Sequence, residues 1–289
     1  MEQRTIIGLG VCALLIAFGF AVNGNVGLYF NIAALFIVLG GTFGAAFLSF
    51  RTERLSIVFK VMLASYRTRM KAPEEIVEIL VDLSVKSRLK GILSLQEDED
   101  ETSIMFLRRA LGFLVDGYTE VQIKEILNTE MYFFKLRREE SERVLRTLAE
   151  ICPSFGLVGS VVGIIGMLAS VGEVSMILAT IPIALTSTLY GVVFANLFFL
   201  PFAVHMRERT DHELLLQKII LEGVSAIESE LNPRVLEMKL KSFLTPSSRP
   251  SSRAGRLISV KRIQERFQIK PEAVNPAPGG NRILQPVSN

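Results

Sequence analysis

The sequence has no tryptophan, only two histidines and only two cysteines in 289 residues. Cys12 and Cys152 lie in or beside apolar segments, with neither the spacing of a metal site nor the context of a disulfide-bonded secreted domain. P-loop and dinucleotide-binding glycine motifs are also absent, so we expect no catalytic residues, no cofactor and no bound metal. The formal net charge of +3 is too small and too dispersed to indicate a nucleic-acid partner.

Charged residues are missing from two long stretches of the chain. Thr5–Phe50 contains none, and Ile151–Met206 contains only Glu173 and His205, which lie where a helix would leave a bilayer. The chain nevertheless combines a mean hydropathy of +0.39 with 21% charged residues, so apolar and charged residues are segregated along it. Because a membrane span needs about 20 apolar residues, each stretch is long enough for two helices.

Turn signals divide each stretch into two predicted helices. The turn at Asn23–Asn25 separates a first helix at about 5–22 from a second at about 28–50. A break at Gly172–Ser175 separates a third helix from a fourth. The sequence therefore predicts an all-α polytopic membrane protein with four transmembrane helices. We expect the first helix to be retained, because no convincing signal-peptide cleavage site follows it.

Positive charge is distributed asymmetrically around these helices. The loop between the first and second helices has no Lys or Arg, and the loop between the third and fourth has only Glu173. The other flanks carry Arg4, Arg51, Arg54, Lys60, Arg207 and Arg209. The positive-inside rule then predicts that both termini and the segment 51–150 face the cytoplasm.

The cytoplasmic residues differ in composition along the chain. Apolar positions recur at helical spacing between 51 and 150, and a helical pattern follows the fourth span to about Glu230. From Thr245 the sequence is rich in Pro, Ser, Gly and Arg without periodicity. We predict transmembrane helices 1 and 2 at 1–50, a helical cytoplasmic domain at 51–150, transmembrane helices 3 and 4 at 151–206, a cytoplasmic helical extension at 207–244 and a disordered basic tail at 245–289.

The third and fourth helices carry small and hydroxyl side chains. On the third helix, glycine recurs three or four positions apart, at Gly156, Gly159, Gly163 and Gly166. This spacing places small residues on one face and favours close packing of a neighbouring helix. Hydroxyls that could line an ion path are Ser160, Thr186, Ser187 and Thr188. The alternative is that these hydroxyls bond the carbonyl one turn back in their own helix.

Acidic and basic residues are absent from the interior of every predicted span. Ion carriers usually place a carboxylate within the membrane. If this protein moves protons or sodium, the titrating acid must therefore come from another chain.

Several motifs resemble one family of membrane proteins. PSFGLVGSVVGIIGML followed by ALTSTLYGVVFANLFFLP resembles the third and fourth transmembrane helices of the MotA/PomA flagellar stator family, within the wider MotA/TolQ/ExbB proton-channel superfamily. The resemblance extends to GGTFGA, FLRRALGFLVDGY and EGVSAIESELNPRVLEMKL, and covers about residues 1–245. TolQ and ExbB proteins are similar to this sequence in the last two spans, although they have three spans in all. The alternative is therefore a TolQ/ExbB-like energiser of a periplasmic or outer-membrane partner.

The resemblance implies an assembly in the bacterial inner membrane. Five copies would surround two helices of a MotB-like single-span partner, which would supply the ion-carrying Asp and a peptidoglycan-binding domain. Flow of H⁺ or Na⁺ would drive rotation, and the cytoplasmic domains would push the rotor protein FliG. Of the two ions we favour protons.

The resemblance also implies roles for individual residues. Pro153 and Pro201 match prolines at the inner ends of helices 3 and 4, where a kink would suit conformational coupling. In KSRLKGILSLQ, the segment that carries torque-generating charges in the family, Arg88 matches a charged position and Gln96 stands where Glu is frequent. The predicted rotor contacts are Arg88, Lys90 and Glu97. Ser160 and Thr188 match positions where sodium-driven members have Thr.

Overall fold

The computed structural model describes residues 26–67, 71–169 and 174–244, together with scattered positions between 8 and 24. Every regular element in these ranges is helical, which confirms the all-α class. The predicted first helix at 5–22 lies largely outside the described residues, and the predicted tail at 245–289 lies wholly outside them. By length and composition, three helical segments of the described part could cross a membrane, Ile32–Ser49, Glu120–Ala169 and Thr180–Glu228, so the count of four spans stays a prediction.

In chain order, the helices of the described ranges are α1 Ile32–Ser49, α2 Thr52–Arg67, α3 Pro73–Lys90, α4 Gln96–Glu101, α5 Met105–Val115, α6 Glu120–Ala169, α7 Val174–Phe194, α8 Leu200–Glu228 and α9 Pro233–Lys241. Short 3₁₀ turns occupy Val26–Tyr29 and Ile92–Leu95, and a π-helical turn occupies Ala195–Phe199. The predicted break at Gly172–Ser175 falls mostly on residues outside the described ranges, and α7 begins at Val174.

The described residues fall into two compact units. The first lies within 1–71 and 124–218, and the second within 72–123 and 219–289. The candidate spans of α1, α6 and α7 and their packed core belong to the first unit. The predicted rotor-contact residues belong to the second.

The N-terminus of α1 is fixed by two side chains of the first unit. Asn31 Oδ1 accepts a hydrogen bond from the Ala34 N–H at 3.0 Å, so Asn31 acts as the N-cap. The Tyr190 hydroxyl accepts from the Asn31 N–H at 2.8 Å and donates to the Tyr29 carbonyl at 2.6 Å. This cap explains why the helix begins at Ile32 rather than near residue 28 as the sequence predicted.

One face of α1 packs into the core of the first unit. Its buried positions recur at every fourth residue, as Ala34, Val38, Thr42 and Ala46. Small side chains at this spacing let a neighbouring helix approach closely. The core continues through Leu145, Leu148 and Cys152 of α6.

The second unit is built on α3. Pro73 at the start of α3 is followed by Glu74 and Glu75, and the last turn carries Arg88 and Lys90, so both ends complement the helix dipole. Its core residues include Ile76, Leu80, Leu107, Leu111, Ile219, Val224, Leu236 and Leu240.

Candidate functional site

Helices α6 and α7 pack with almost no side-chain spacer between them. A Cβ placed on Gly156 would lie 3.0 Å from the Ser187 carbonyl oxygen, and one on Gly163 would lie 2.6 Å from the Ala184 backbone nitrogen. Added carbon at Gly159 would likewise meet Ser187, and at Gly166 it would meet Thr180. The four glycines that the sequence singled out therefore lie along the contact between α6 and α7.

A pair of hydroxyls joins the two helices. The Ser160 Oγ lies 2.5 Å from the Thr188 Oγ1, 2.6 Å from the Ala184 carbonyl oxygen and 3.2 Å from the Gly156 carbonyl oxygen. A hydroxyl has one proton to donate and two lone pairs to accept with, so both side chains keep acceptor capacity in this arrangement. Both are only half-buried.

The other two predicted path residues have a different environment. The Thr186 hydroxyl donates to the Pro182 carbonyl at 2.6 Å, and the Ser187 hydroxyl donates to the Ile183 carbonyl at 2.7 Å. Both side chains are buried. They fit the alternative of hydroxyls that bond their own helix, and their assignment to an ion path stays a prediction.

Ser160 and Thr188 border an open recess of about 440 Å³ between α6 and α7, called here the Ser160–Thr188 recess. Its remaining lining is apolar, and consists of Gly163, Ile164, Met167, Ile181, Ala184, Leu185 and Leu189. No lining side chain titrates near neutral pH. In the described part of the chain, no three His, Cys, Asp or Glu side chains come together as a metal site. The recess offers hydroxyl oxygens in an apolar wall, which suits water or a partly dehydrated cation.

The two predicted coupling prolines lie at different helical features. Pro153 is inside α6, where its Cα would lie 3.1 Å from a Cβ on Gly191 of α7. Pro201 follows the π-helical turn, in which the Leu200 N–H bonds to the Ala195 carbonyl. Proline lacks an N–H and its ring clashes with the carbonyl four residues earlier. The wider turn before Pro201 relieves this conflict, and the sequence reasoning did not predict it.

The predicted rotor-contact residues lie in the second unit. The Arg88 guanidinium donates to the Glu230 carbonyl at 2.5 Å, beside the C-terminal end of α8. Glu230 has a φ of +51°, and the Leu231 N–H bonds back to the Ala226 carbonyl. This is the geometry of a helix end that normally uses glycine. Arg88 therefore stabilises a strained turn.

Glu97 belongs to a small charge cluster around Lys86. The Lys86 Nζ lies 2.6 Å from Asp98 Oδ2 and 3.5 Å from Glu97 Oε2, and the Glu97 side chain is 87% exposed. Burial by itself lowers the pKa of Lys86, but the hydrogen bond and charge of Asp98, with the charge of Glu97, outweigh it and raise the pKa. Lys86, which the sequence reasoning missed, thus holds α4 against α3.

Comparison with known proteins places these features in a family context. Residues 98–218 match the model of the MotA/TolQ/ExbB proton channel family. Motility protein A of Borreliella burgdorferi is 32% identical over 251 residues, which cover 86% of this chain and 96% of the relative. Chemotaxis protein PomA of Vibrio alginolyticus is 26% identical over 249 residues, which cover 86% and 98%.

A solved structure has the same fold. The C. jejuni MotAB structure superposes with a TM-score of 0.80 and 25% sequence identity. The superposition covers 86% of this chain and 98% of the chain it matches.

Proposed function

Because this chain belongs to the MotA/PomA family of flagellar stator proteins, within the wider MotA/TolQ/ExbB proton channel family, we propose that it is the stator subunit that couples ion flow across a membrane to rotation of the flagellar motor. It is a motor and transport component rather than an enzyme. It needs no cofactor besides the transported ion.

The observation that supports this function most directly is the chemistry of the Ser160–Thr188 recess. Its hydroxyl pair can coordinate water or an ion, yet nothing in its lining can bind and release a proton near neutral pH. An ion-coupled cycle needs such a group within the membrane. We assign that group to the Asp of a MotB-like single-span partner, whose helix would lie against the recess.

The outward faces of α6 and α7 support an oligomer. Large apolar side chains such as Leu157, Ile165 and Leu185 are more than half exposed in the single chain. Lipid, other copies and the partner helix would share this surface in a bilayer. We propose five copies around two partner helices in the bacterial inner membrane, with both termini and the 51–150 domain in the cytoplasm.

Transmission to the rotor is assigned to the second unit. Arg88, Lys90 and Glu97 would contact FliG, while Pro153 and Pro201 would let α6 and α8 respond to ion passage. Single surface ion pairs are weak, which suits a contact that must form and break at every step. The transported ion is proposed to be H⁺, with Na⁺ as the alternative that hydroxyl ligands also allow.

Deletion of the gene tests the function. Cells without it should assemble normal flagella but fail to swim, and the wild-type gene should restore swimming. Thr188→Ala should restore it poorly, since the variant loses the hydroxyl that pairs with Ser160, while Val158→Ala, an exposed apolar position of α6, serves as the control. Normal swimming of the deletion strain in the absence of a paralogue would refute the proposal. A deletion strain that swims normally but has a defective cell envelope would instead favour a TolQ/ExbB-like energiser.

A further inference from the structure

One carboxamide within the membrane-spanning part of the chain has an unexpected position. Asn196 is exposed, at the start of the π-helical turn that follows α7. Arg207, the next Lys or Arg along the chain, follows Asn196 by about 16 Å at 1.5 Å per residue. Asn196 therefore lies within the hydrocarbon region. An exposed amide there would be costly against lipid.

Asn196 uses little of its hydrogen-bonding capacity within the chain. One side-chain N–H donates to the Val192 carbonyl at 2.9 Å. A carboxamide has a second N–H and a carbonyl oxygen with two lone pairs. By contrast, the Tyr190 hydroxyl, the other polar group between Thr188 and His205, is engaged with the start of α1. Asn196 is therefore arranged to meet a polar neighbour outside this chain.

The helical register indicates which neighbour that is. Leu185 and Leu189 line the Ser160–Thr188 recess. At 100° per residue, Asn196 falls within about 20° of both, and about 10 Å along the axis from Leu189. It thus lies on the face of the recess, displaced toward the end of the span that carries Arg207 and Arg209.

We propose that Asn196 is the next polar station of the ion path after the Ser160–Thr188 pair, where it hydrogen-bonds the water that accompanies the ion between the recess and the Arg207 end of the span. The proposal rests on the proposed function. It extends the path beyond the recess by about two helical turns. Asn196 lies within the π-helical turn, and the exposed side chains around it are otherwise apolar, among them Val192, Phe198 and Leu200.

Flux measurements on the complex with its native single-span partner test the proposal. The complex is reconstituted in vesicles, and proton uptake is followed with an internal pH dye under an imposed potential. Asn196→Leu should lower the rate at least about tenfold, because the water loses its hydrogen-bonding partner in an apolar environment. Asn196→Ser, which keeps a donor and an acceptor, should stay within about twofold of wild type. Phe198→Leu, at an exposed apolar position off the recess face, is the control.

Each outcome decides between alternatives. An assembled Asn196→Leu complex with wild-type flux overturns the proposal. Loss of the assembled complex on size-exclusion chromatography also overturns it, because Asn196 would then be a contact between chains. A wild-type complex that conducts neither H⁺ nor Na⁺ refutes the proposed function, and the inference falls with it.

A labelling experiment reports on water rather than on flux. In a Cys12→Ser background, a membrane-impermeant thiosulfonate reagent should label Asn196→Cys in the assembled complex. It should not label Phe198→Cys, which is exposed in the single chain but lies off the recess face. Equal labelling of both positions, or of neither, contradicts a water-filled path at Asn196.

Discussion

Replacement of Gly163 by alanine tests how closely α6 and α7 must approach. The added Cβ would lie 2.6 Å from the Ala184 nitrogen, 2.7 Å from its Cβ and 2.8 Å from its Cα. Two of these atoms are backbone, so no side-chain rotation relieves the overlap. Ordinary contact begins at 3.4 Å, so the helices must separate locally by about 0.8 Å.

The structure gives the size of the effect. Overpacking of this kind costs roughly 1–3 kcal/mol, against a gain of about 1 kcal/mol from the higher helix propensity of alanine. Separation of the helices also lengthens the contact between the Ser160 and Thr188 hydroxyls, now at 2.5 Å. Gly163→Ala should therefore be destabilising and should weaken swimming more than stability alone explains.

Gly166 provides a matched control on the same face. There the added Cβ meets only the Thr180 side chain, at 3.3 Å and 3.9 Å, and a threonine side chain can shift by a few tenths of an ångström. Gly166→Ala should be neutral or slightly stabilising, because the propensity gain is not offset. Thermal melting of the purified complexes by circular dichroism at 222 nm suits a chain without tryptophan. Equal melting temperatures for the two variants would refute the argument from helix approach.

Two further predictions concern the second unit. Glu230→Gly should stabilise the protein by about 1 kcal/mol, since glycine adopts positive φ without strain. Glu230→Ala should give no such stabilisation. A melting temperature below wild type for the glycine variant would contradict the prediction. Lys86→Gln should lower the melting temperature at pH 7.5, because Asp98 loses its cation. Since the pKa of Lys86 is raised, its ion pairs should contribute fully to the free energy of unfolding at neutral pH. This contribution should be lost only as pH rises above the ordinary lysine value of 10.5. A Lys86→Gln variant as stable as wild type at pH 7.5 would therefore rule out a stabilising pair.

The sequence predicted those features that hydrocarbon imposes on composition. Charged residues are excluded from a bilayer interior, so the absence of charge was enough to identify the apolar segments of α1, α6 and α7. The regular glycines of α6 predicted a close helix neighbour because only backbone proximity makes such small residues useful. These arguments need no knowledge of which helix lies beside which.

The candidate site was less predictable because hydroxyl groups have two uses in a helix. Ser160 and Thr188 meet across α6 and α7, whereas Thr186 and Ser187 bond to carbonyls of their own helix. The choice depends on the rotation of one helix against the other, which a single sequence does not contain. The interaction of Arg88 with the Glu230 carbonyl was likewise hidden, because the two residues are 142 positions apart.

The turn at Ala195–Phe199 sets the rotational phase of everything that follows it. A π-helical turn contains one residue more than an α-helical turn, so α8 faces about 100° away from the direction that an uninterrupted helix would have given it. That offset aims Arg209 inward and brings Glu213 within 3.3 Å of the Arg138 guanidinium, while Arg207 remains at the surface. A single inserted residue thus determines which charges of α8 are buried and which lie at the surface.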